Sequence, residues 1–447
     1  MMRLARVMAG LAGMLVAAAP STAQQTGPAQ AAAQPLKRIP LGRQGQVWVG
    51  FGAQLRARVE SWRNFGFDAA LDHDDDFVLN RVLLNADLHL GKRLRAFVEA
   101  KSAVLTDRNL PGGRRPVDAD DIDVQNAYLE VSLPLAADVG ITARAGRQEL
   151  LFGRQRLVSP LDWTNTRRTF DGARGTATIR AWTLDGFFVR PVRVVKSGFN
   201  RWDRGTDFFG LHAARKPGRV PGLQGYWLML RREAAAFNET AGPERRHTFG
   251  ARLAGRAGGG RAEYDVEAAY QWGSLGAGTI SAAMFGGELA YTVVPVPGRP
   301  RFHAGLDYAS GDGSAGGDVE TFNQLFPLGH AFLGYIDVVG RQNVVALNAG
   351  VGIKPVESLQ ADVTAHHFRR ASTNDGLYHA GGGVERAAGV TRAATVGSEL
   401  DVTLTWRLGQ HVAGLVGYSR FVPGPFIEET GAAENIRFVY GSLQLTY

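Results

Sequence analysis

Between Gly146 and Gly175 the chain reads GRQELLFGRQRLVSPLDWTNTRRTFDGARG. This gathers Arg147, Arg154, Arg156, Arg167, Arg168 and Arg174 around only three acids, Glu149, Asp162 and Asp171. A guanidinium presents a planar fork of donors that grips a carboxylate or phosphate bidentately, so the chemistry on offer is anion recognition. A run this basic, yet rich in Leu, Phe and Trp, is neither a flexible tail nor a core strand: tails lack the apolar residues, and cores cannot bury so many cations. Three acids cannot neutralise six arginines. The stretch therefore divides into arginines that fix a loop and arginines that meet a ligand, with Arg154 and Arg156 expected free and Arg168 and Arg174 structural.

The remaining constellations offer less chemistry. Asp72-His73-Asp74-Asp75-Asp76 has carboxylates enough for calcium but lacks the glycine and distal glutamate of a helical calcium loop, so Asp74, Asp75 and Asp76 read as a solvated acidic loop. Asp312 and Asp318, in SGDGSAGGDVE, read the same way. His366 and His367 are neighbours in an alternating segment, which puts them on opposite faces and stops them chelating one metal together. No Ser/His/Asp grouping is close in sequence, so acyl transfer would need distant partners brought together by folding. No cofactor is expected.

What must position these residues is a series of strands. From Val47 the chain alternates strictly, with Val47, Val49, Phe51, Ala53, Leu55, Ala57 and Val59 set against Gln46, Gln54, Arg56, Arg58 and Glu60. Period two over that length is a strand. Similar segments recur at Val78 to His89, Leu94 to Lys101, Ala127 to Leu133, Ile141 to Ala145, Phe249 to Leu253, Ala262 to Gln271, Phe302 to Tyr308, Val345 to Ile353, Leu359 to Ala365, Leu400 to Leu408 and Val439 to Tyr447. Weaker ones near Thr178, Phe187, Phe209, Tyr226, Leu289 and Leu415 bring the count to about eighteen, inside the range of bacterial outer-membrane barrels. Short turns alternate with long connections, the latter near 63–76, 105–121, 153–172, 193–205, 234–246, 273–279, 310–342, 369–395 and 422–434. That is the layout of a transmembrane barrel with turns in the periplasm and loops outside. Tyr264, Tyr270, Tyr291, Tyr308, Trp406 and Tyr447 fall on the apolar face near strand ends, where interfacial girdles sit.

If the apolar faces meet lipid, Arg56, Arg58, Arg81, Arg93, Arg95, Lys101, Arg144, Arg252, Arg301 and Arg407 face the lumen. With them go Glu60, Asp87, Glu99, Glu130, Glu263, Asp265, Glu267, Asp307, Asp362, Glu399 and Asp401. Cross-strand ion pairs account for most of these, leaving the basic stretch as the main supplier of unpaired charge along a path that includes Arg56, Arg58, Arg81, Arg95 and Arg144. The net charge of +8 and isoelectric point near 9.8 favour polyanions such as lipopolysaccharide or acidic sugars. Nucleic acid shares the charge but finds no binding motif. With no cysteine there is no disulfide framework or thiolate chemistry. Residues 1–23 read as a cleaved signal peptide and 24–45 as a periplasmic lead-in, leaving 46–447 as the barrel.

The mature chain resembles the alginate export family of outer-membrane porins. The likeness rests on DDDFVLNRVLLNADLHL (Asp74 to Leu90), DIDVQNAYLEV (Asp121 to Val131), the basic stretch itself, DGFFVRPV (Asp185 to Val192), LDYASGDG (Leu306 to Gly313) and TFNQLFPLGHAFLGYIDVVGRQN (Thr321 to Asn343). It implies a monomeric barrel in the outer membrane of a Gram-negative bacterium, passing anionic polysaccharide outward through an electropositive lumen. Its implied partners are outer-membrane lipid and lipopolysaccharide, the assembly machinery that reads the aromatic C-terminal strand, and a periplasmic export complex. Two other readings stand beside it: uptake of small carboxylates or other organic anions, and an outer-membrane enzyme acting on lipid. A lipid-facing serine beside a histidine would mark the enzyme. The short turn after Leu408 departs from a family pattern with a periplasmic plug there.

Overall fold

The alternating segments pair with their sequence neighbours and close on themselves. The computed structural model describes residues 38–41, 46–195, 198–218 and 220–447, so the signal peptide and most of the lead-in lie outside the described residues. Eighteen antiparallel strands form the wall. The first nine are β1 (Val47–Arg63), β2 (Asp75–Leu90), β3 (Leu94–Leu105), β4 (Asp120–Ala136), β5 (Val139–Gln148), β6 (Phe170–Ile179), β7 (Trp182–Arg193), β8 (Thr206–Arg215) and β9 (Gly222–Phe237). The second nine are β10 (Thr240–Ala257), β11 (Ala262–Leu275), β12 (Gly278–Thr292), β13 (Arg301–Ala309), β14 (Val344–Val356), β15 (Leu359–Arg369), β16 (Thr395–Leu408), β17 (Val412–Pro423) and β18 (Ile436–Thr446). β1 pairs with β18, with Leu55 opposite Leu445 and Glu60 opposite Tyr440, so no edge is left unpaired in lipid. Ile39–Pro40, in the lead-in, adds a two-residue strand against Trp48 and Val49.

The outer face is the apolar one: Leu55, Leu84, Val98 and Leu404 are 43%, 56%, 51% and 39% exposed, while Arg56, Arg58 and Arg81 are buried inside. Periplasmic turns are tight; Gly91 and Gly409 hold φ of 68° and 64°, which glycine adopts without cost. Two expected long loops are absent. Residues 234–246 and 273–279 instead continue as ladder, turning at Asn238-Glu239 and at 276–277. Alternation fails there because these hairpins rise toward the extracellular ends, where no lipid requires an apolar face.

The weak strand signals have a physical cause. In the extracellular half of the barrel both faces are apolar: Phe187 and Val189 of β7 point inward and are buried, while Phe188 between them is 51% exposed on the outside. Phe77, Leu79, Phe170, Phe208, Phe368, Phe421 and Phe438 likewise form an inward core. They have partners because two long loops enter the lumen. Residues 149–169, between β5 and β6, bury Leu150, Leu157 and Val158; residues 310–343, between β13 and β14, bury Phe322, Leu333, Ile336 and Val339. Each such side chain contributes about 1.5–3 kcal/mol when buried. A short helix, α1 (His330–Leu333), lies within the second loop, and α2 (Pro425–Thr430) lies between β17 and β18.

Candidate constriction site

Two glycines make the stem of the first inward loop. Gly146 of β5 and Gly172 of β6 stand opposite each other with φ of 127° and 155°. A Cβ built on Gly146 would lie 2.2 Å from the Ala127 carbonyl, and one on Gly172 2.2 Å from that of Phe188. From that stem the loop crosses to the second inward loop and joins it. Ser159 N donates to Phe326 O at 2.8 Å, Phe326 N to Leu157 O at 2.9 Å, and Leu328 N to Gln155 O at 3.0 Å. Arg341 Nη1 donates to the Arg156 carbonyl at 3.1 Å, while its Nη2 reaches Asp307 at 2.7 Å. The two loops are thus one body.

The acids that neutralise the basic stretch come largely from the wall. Arg147 pairs with Asp171 at 2.8 Å and Asp123 at 3.1 Å; Arg167 pairs with Glu149 at 2.5 Å and Asp162 at 3.4 Å; Arg174 pairs with Asp185 at 2.8 Å. Arg156, 1% exposed, meets Asp265 at 2.7 Å and Glu267 at 3.2 Å, and Arg154 meets Glu288 at 3.0 Å. The expectation that Arg154 and Arg156 lack partners is corrected, because acids of β11 and β12 lie opposite that part of the loop. Arg168, expected to be structural, is held without an acid. It has no carboxylate among the described residues and donates to the carbonyls of Ser159 at 3.1 Å and Pro327 at 3.4 Å. Burial lowers its pKa to about 10, so it stays charged at neutral pH.

Wall arginines anchor the loop in the same way. Arg56 donates to the carbonyls of Asp162 at 2.7 Å and Thr164 at 2.8 Å; Arg81 meets the Asp162 carboxylate at 2.8 Å; Arg58 pairs with Glu60 at 2.8 Å and lies over the Trp163 ring at 4.4 Å. Burial would raise the Asp162 carboxyl, but Arg81, Arg167 and Arg56 hold it well below the usual carboxylate range. These guanidinia are spent on structure. A second set keeps contact with lumen water: Arg154 is 30% exposed and Arg95 and Arg144 are each 25% exposed, although Arg95 pairs with Asp87 at 2.7 Å and Arg144 with Glu130 at 2.5 Å. A paired guanidinium still has N–H groups to offer. Arg301, between Glu263 and Glu288, belongs to this set.

The acidic candidates have other duties. Asp76 and Asp74 neutralise Arg63 at 3.0 and 3.7 Å, Asp75 accepts from Asn109 N at 2.6 Å, Asp312 caps the backbone N–H groups of Glu320 and Thr321, and Asp318 accepts from Thr279. His366 points inward to Asp401 at 3.3 Å. His367 points outward, and its Nδ1 lies 3.0 Å from Ser398 Oγ on the lipid face. This is the serine–histidine pair that would mark an enzyme, but it lacks the rest of the machinery. Among the described residues no carboxylate or amide orients the other ring nitrogen, and the sheet ladder consumes the neighbouring N–H groups that an oxyanion would need.

A closed barrel with lipid-facing apolar strands, charged inner walls and two inward loops defines an outer-membrane channel. The chain belongs to the alginate export family, whose model matches residues 47–440. No curated sequence matches it. The solved structures it is similar to include three Pseudomonas aeruginosa proteins. OpdO has a TM-score of 0.58 at 12% identity, covering 89% of this chain and 97% of that one. OccD3 (OpdP) has 0.58 at 11%, covering 93% of each, and OpdK, crystallised with vanillate, has 0.57 at 14%, covering 89% and 99%. At such identities the likeness is one of fold.

Sequence reasoning missed the second loop as part of the constriction. Its signal was present in TFNQLFPLGHAFLGYIDVVG, which is too apolar for a solvated loop. It supplies His330, Phe332, Asp337 and Arg341. Burial lowers the His330 pKa to about 3 and raises that of Asp337 to about 7.

Proposed function

We propose that this channel passes an anionic polysaccharide, a uronate polymer such as alginate, outward by passive diffusion. The observation that carries the reading is the division of the arginines. Arg56, Arg81, Arg156 and Arg167 are buried and fix the loops; Arg95 and Arg301, near the periplasmic ends of β3 and β13, together with Arg144 and Arg154, keep donors in lumen water. A polymer leaving the periplasm meets Arg95 and Arg301 first. Each paired guanidinium offers a uronate carboxylate a contact of modest strength, which suits transport because the cargo must leave as well as enter. Membership of the alginate export family supports the same cargo class.

Uptake of small carboxylates is the second reading, favoured by the loops that fill much of the lumen and by the fold shared with OpdK, which was crystallised with vanillate. The test is single-channel recording in planar bilayers with oligouronates of increasing length on either side. Export of polymer predicts block that deepens with chain length and is stronger from the periplasmic side. Block by monomeric carboxylates alone, independent of length, would replace the polysaccharide reading with the second.

A further inference from the structure

On the lipid-facing side of the extracellular rim, three arginines follow one another across neighbouring strands. Arg63 of β1 is in register with Arg437 of β18, and Arg437 with Arg420 of β17. Arg63 is neutralised by Asp76 and Asp74. Arg437 and Arg420 are exposed, and neither has an ion-pair or hydrogen-bond partner among the described residues. Like charges directly opposite one another on a sheet repel, so this arrangement asks for a counter-anion. None comes from the described residues.

A second feature lies beside it. A depression of about 550 Å³ opens on the same outer face, between Leu347, Leu400 and Val422, where Ala349 and Ala365 leave room, and Arg420 stands on its margin. The hydrogen-bonded His367 and Ser398 share that margin. Apolar walls beside an unpaired cationic pair match the two ends of one amphiphile. Cargo inside the lumen cannot reach either.

We propose that Arg420, Arg437 and this depression form a binding site for the phosphorylated glycolipid of the outer leaflet, the lipid A part of lipopolysaccharide. The guanidinia hold a phosphate by charge-assisted hydrogen bonds, and an acyl chain lies between Leu347, Leu400 and Val422. The site is at the extracellular end of β17 and β18, the leaflet in which this lipid resides. Its position at the interface also makes lipid-facing arginines tolerable, since the cost of a cation on the lipid face falls from the bilayer midplane toward the interface.

The test uses the full-length channel in detergent, titrated with bisphosphorylated lipid A, dephosphorylated lipid A and phosphatidylglycerol, with bound lipid counted by native mass spectrometry. The parent is expected to bind bisphosphorylated lipid A most tightly, and R420Q/R437Q to lose about tenfold or more in affinity, the scale of lost charge-assisted contacts. R231Q/R245Q, which removes another outward arginine pair in register on β9 and β10, is expected to bind as the parent does. Should R420Q/R437Q fail to fold, Ala365→Phe fills the depression without touching charge and is expected to weaken binding as well. Unchanged lipid A affinity in folded R420Q/R437Q or in Ala365→Phe would overturn the proposal. So would equal binding of phosphatidylglycerol or dephosphorylated lipid A, or light scattering showing that a second copy of the chain covers this face.

Discussion

Replacing Arg156 by Gln tests whether the inward loops are held by wall acids. In the folded protein its guanidinium is 1% exposed, contacts Asp265 and Glu267, and lies over the Phe332 ring at 4.7 Å. Removing one partner of a buried ion pair costs about 3–5 kcal/mol when the remaining charge is stranded. In this site the stranding is partial. Asp265 keeps Arg252, whereas Glu267 keeps, among the described residues, the Tyr226 hydroxyl, which donates at 2.9 Å. The lower end, about 3 kcal/mol, is therefore expected, and it shifts the balance between seated and released loop by about a hundredfold. The barrel ladders do not depend on Arg156, so assembly and heat-modifiable migration should be as in the parent. In planar bilayers the variant should show larger or flickering conductance, and limited proteolysis should cut between residues 149 and 169. Parent-like conductance together with a protected loop would refute the claim that this arginine fixes the constriction.

Four further outcomes follow from the same geometry. Arg168→Gln strands no acid, so assembly should be normal; since it removes the one guanidinium of the stretch without a carboxylate, oligouronate block should weaken by about 1 kcal/mol or more, and unchanged block would place Arg168 outside the path. Leu84→Arg puts a charge on the lipid face at a cost of about 2–4 kcal/mol if it lies at the midplane, so outer-membrane levels should fall, and normal levels would sink the assignment of Leu84 to that face. Anion selectivity should be present at low salt and fade toward 1 M, where screening shortens the reach of charge to about 3 Å; a cation-selective reversal potential at low salt would remove the anionic cargo. The pH dependence of the second loop rests on two opposed groups. Asp337, raised to about 7 by burial among Arg115, Glu60, Arg58 and Asp401, favours the seated loop when protonated, so its contribution fades as pH rises from about 4 to 7. His330, lowered to about 3 by burial, favours the seated loop when neutral, so its contribution fades as pH falls below about 6.5. The two slopes oppose one another between about pH 4 and 6.5, partially because a third of the Asp337 side chain still meets water. Asp337→Asn should therefore expose the His330 slope, and proteolysis of 310–343 in that variant should quicken as pH falls below about 6.5; a flat profile would refute the opposition of the two groups.

Much of the wall was legible because lipid imposes a strict code. Where one face meets acyl chains and the other water, as at Leu55 and Arg56, alternation is nearly clean, and register follows from it. The code weakens where a third environment appears. Phe187, Phe188 and Val189 read poorly as a strand because Phe187 and Val189 bury against loop residues rather than facing lumen water. The basic stretch was recognisable as a loop that meets an anion, since its arginines and apolar residues suit neither a flexible tail nor a core strand. Its pairing was not. The partners Asp123, Asp185, Asp265, Glu267 and Glu288 lie up to 134 residues away in sequence, and only the closed barrel brings them opposite. Counting local acids therefore left Arg154 and Arg156 without the partners they have.

That long-range pairing bears on how the lumen can open. The first loop cannot leave the wall alone, because Leu157 and Ser159 exchange backbone hydrogen bonds with Phe326 and the Arg156 carbonyl accepts from Arg341, which is itself fixed to Asp307 of β13. Moving either loop leaves buried donors and acceptors of the other unpaired, each at a cost of about 1–3 kcal/mol. Wide opening for a polymer thus requires both loops to shift together along the Leu157 to Phe326 seam, or a narrow path beside them to suffice. The two cases differ in energetic coupling. Arg156→Gln and Arg341→Gln should be strongly non-additive in conductance if the loops move as one body, since either variant alone already releases the shared seam. Additive effects would mean that each loop gates a separate part of the lumen, and passage would then run between a loop and the wall past Arg154 and Arg301.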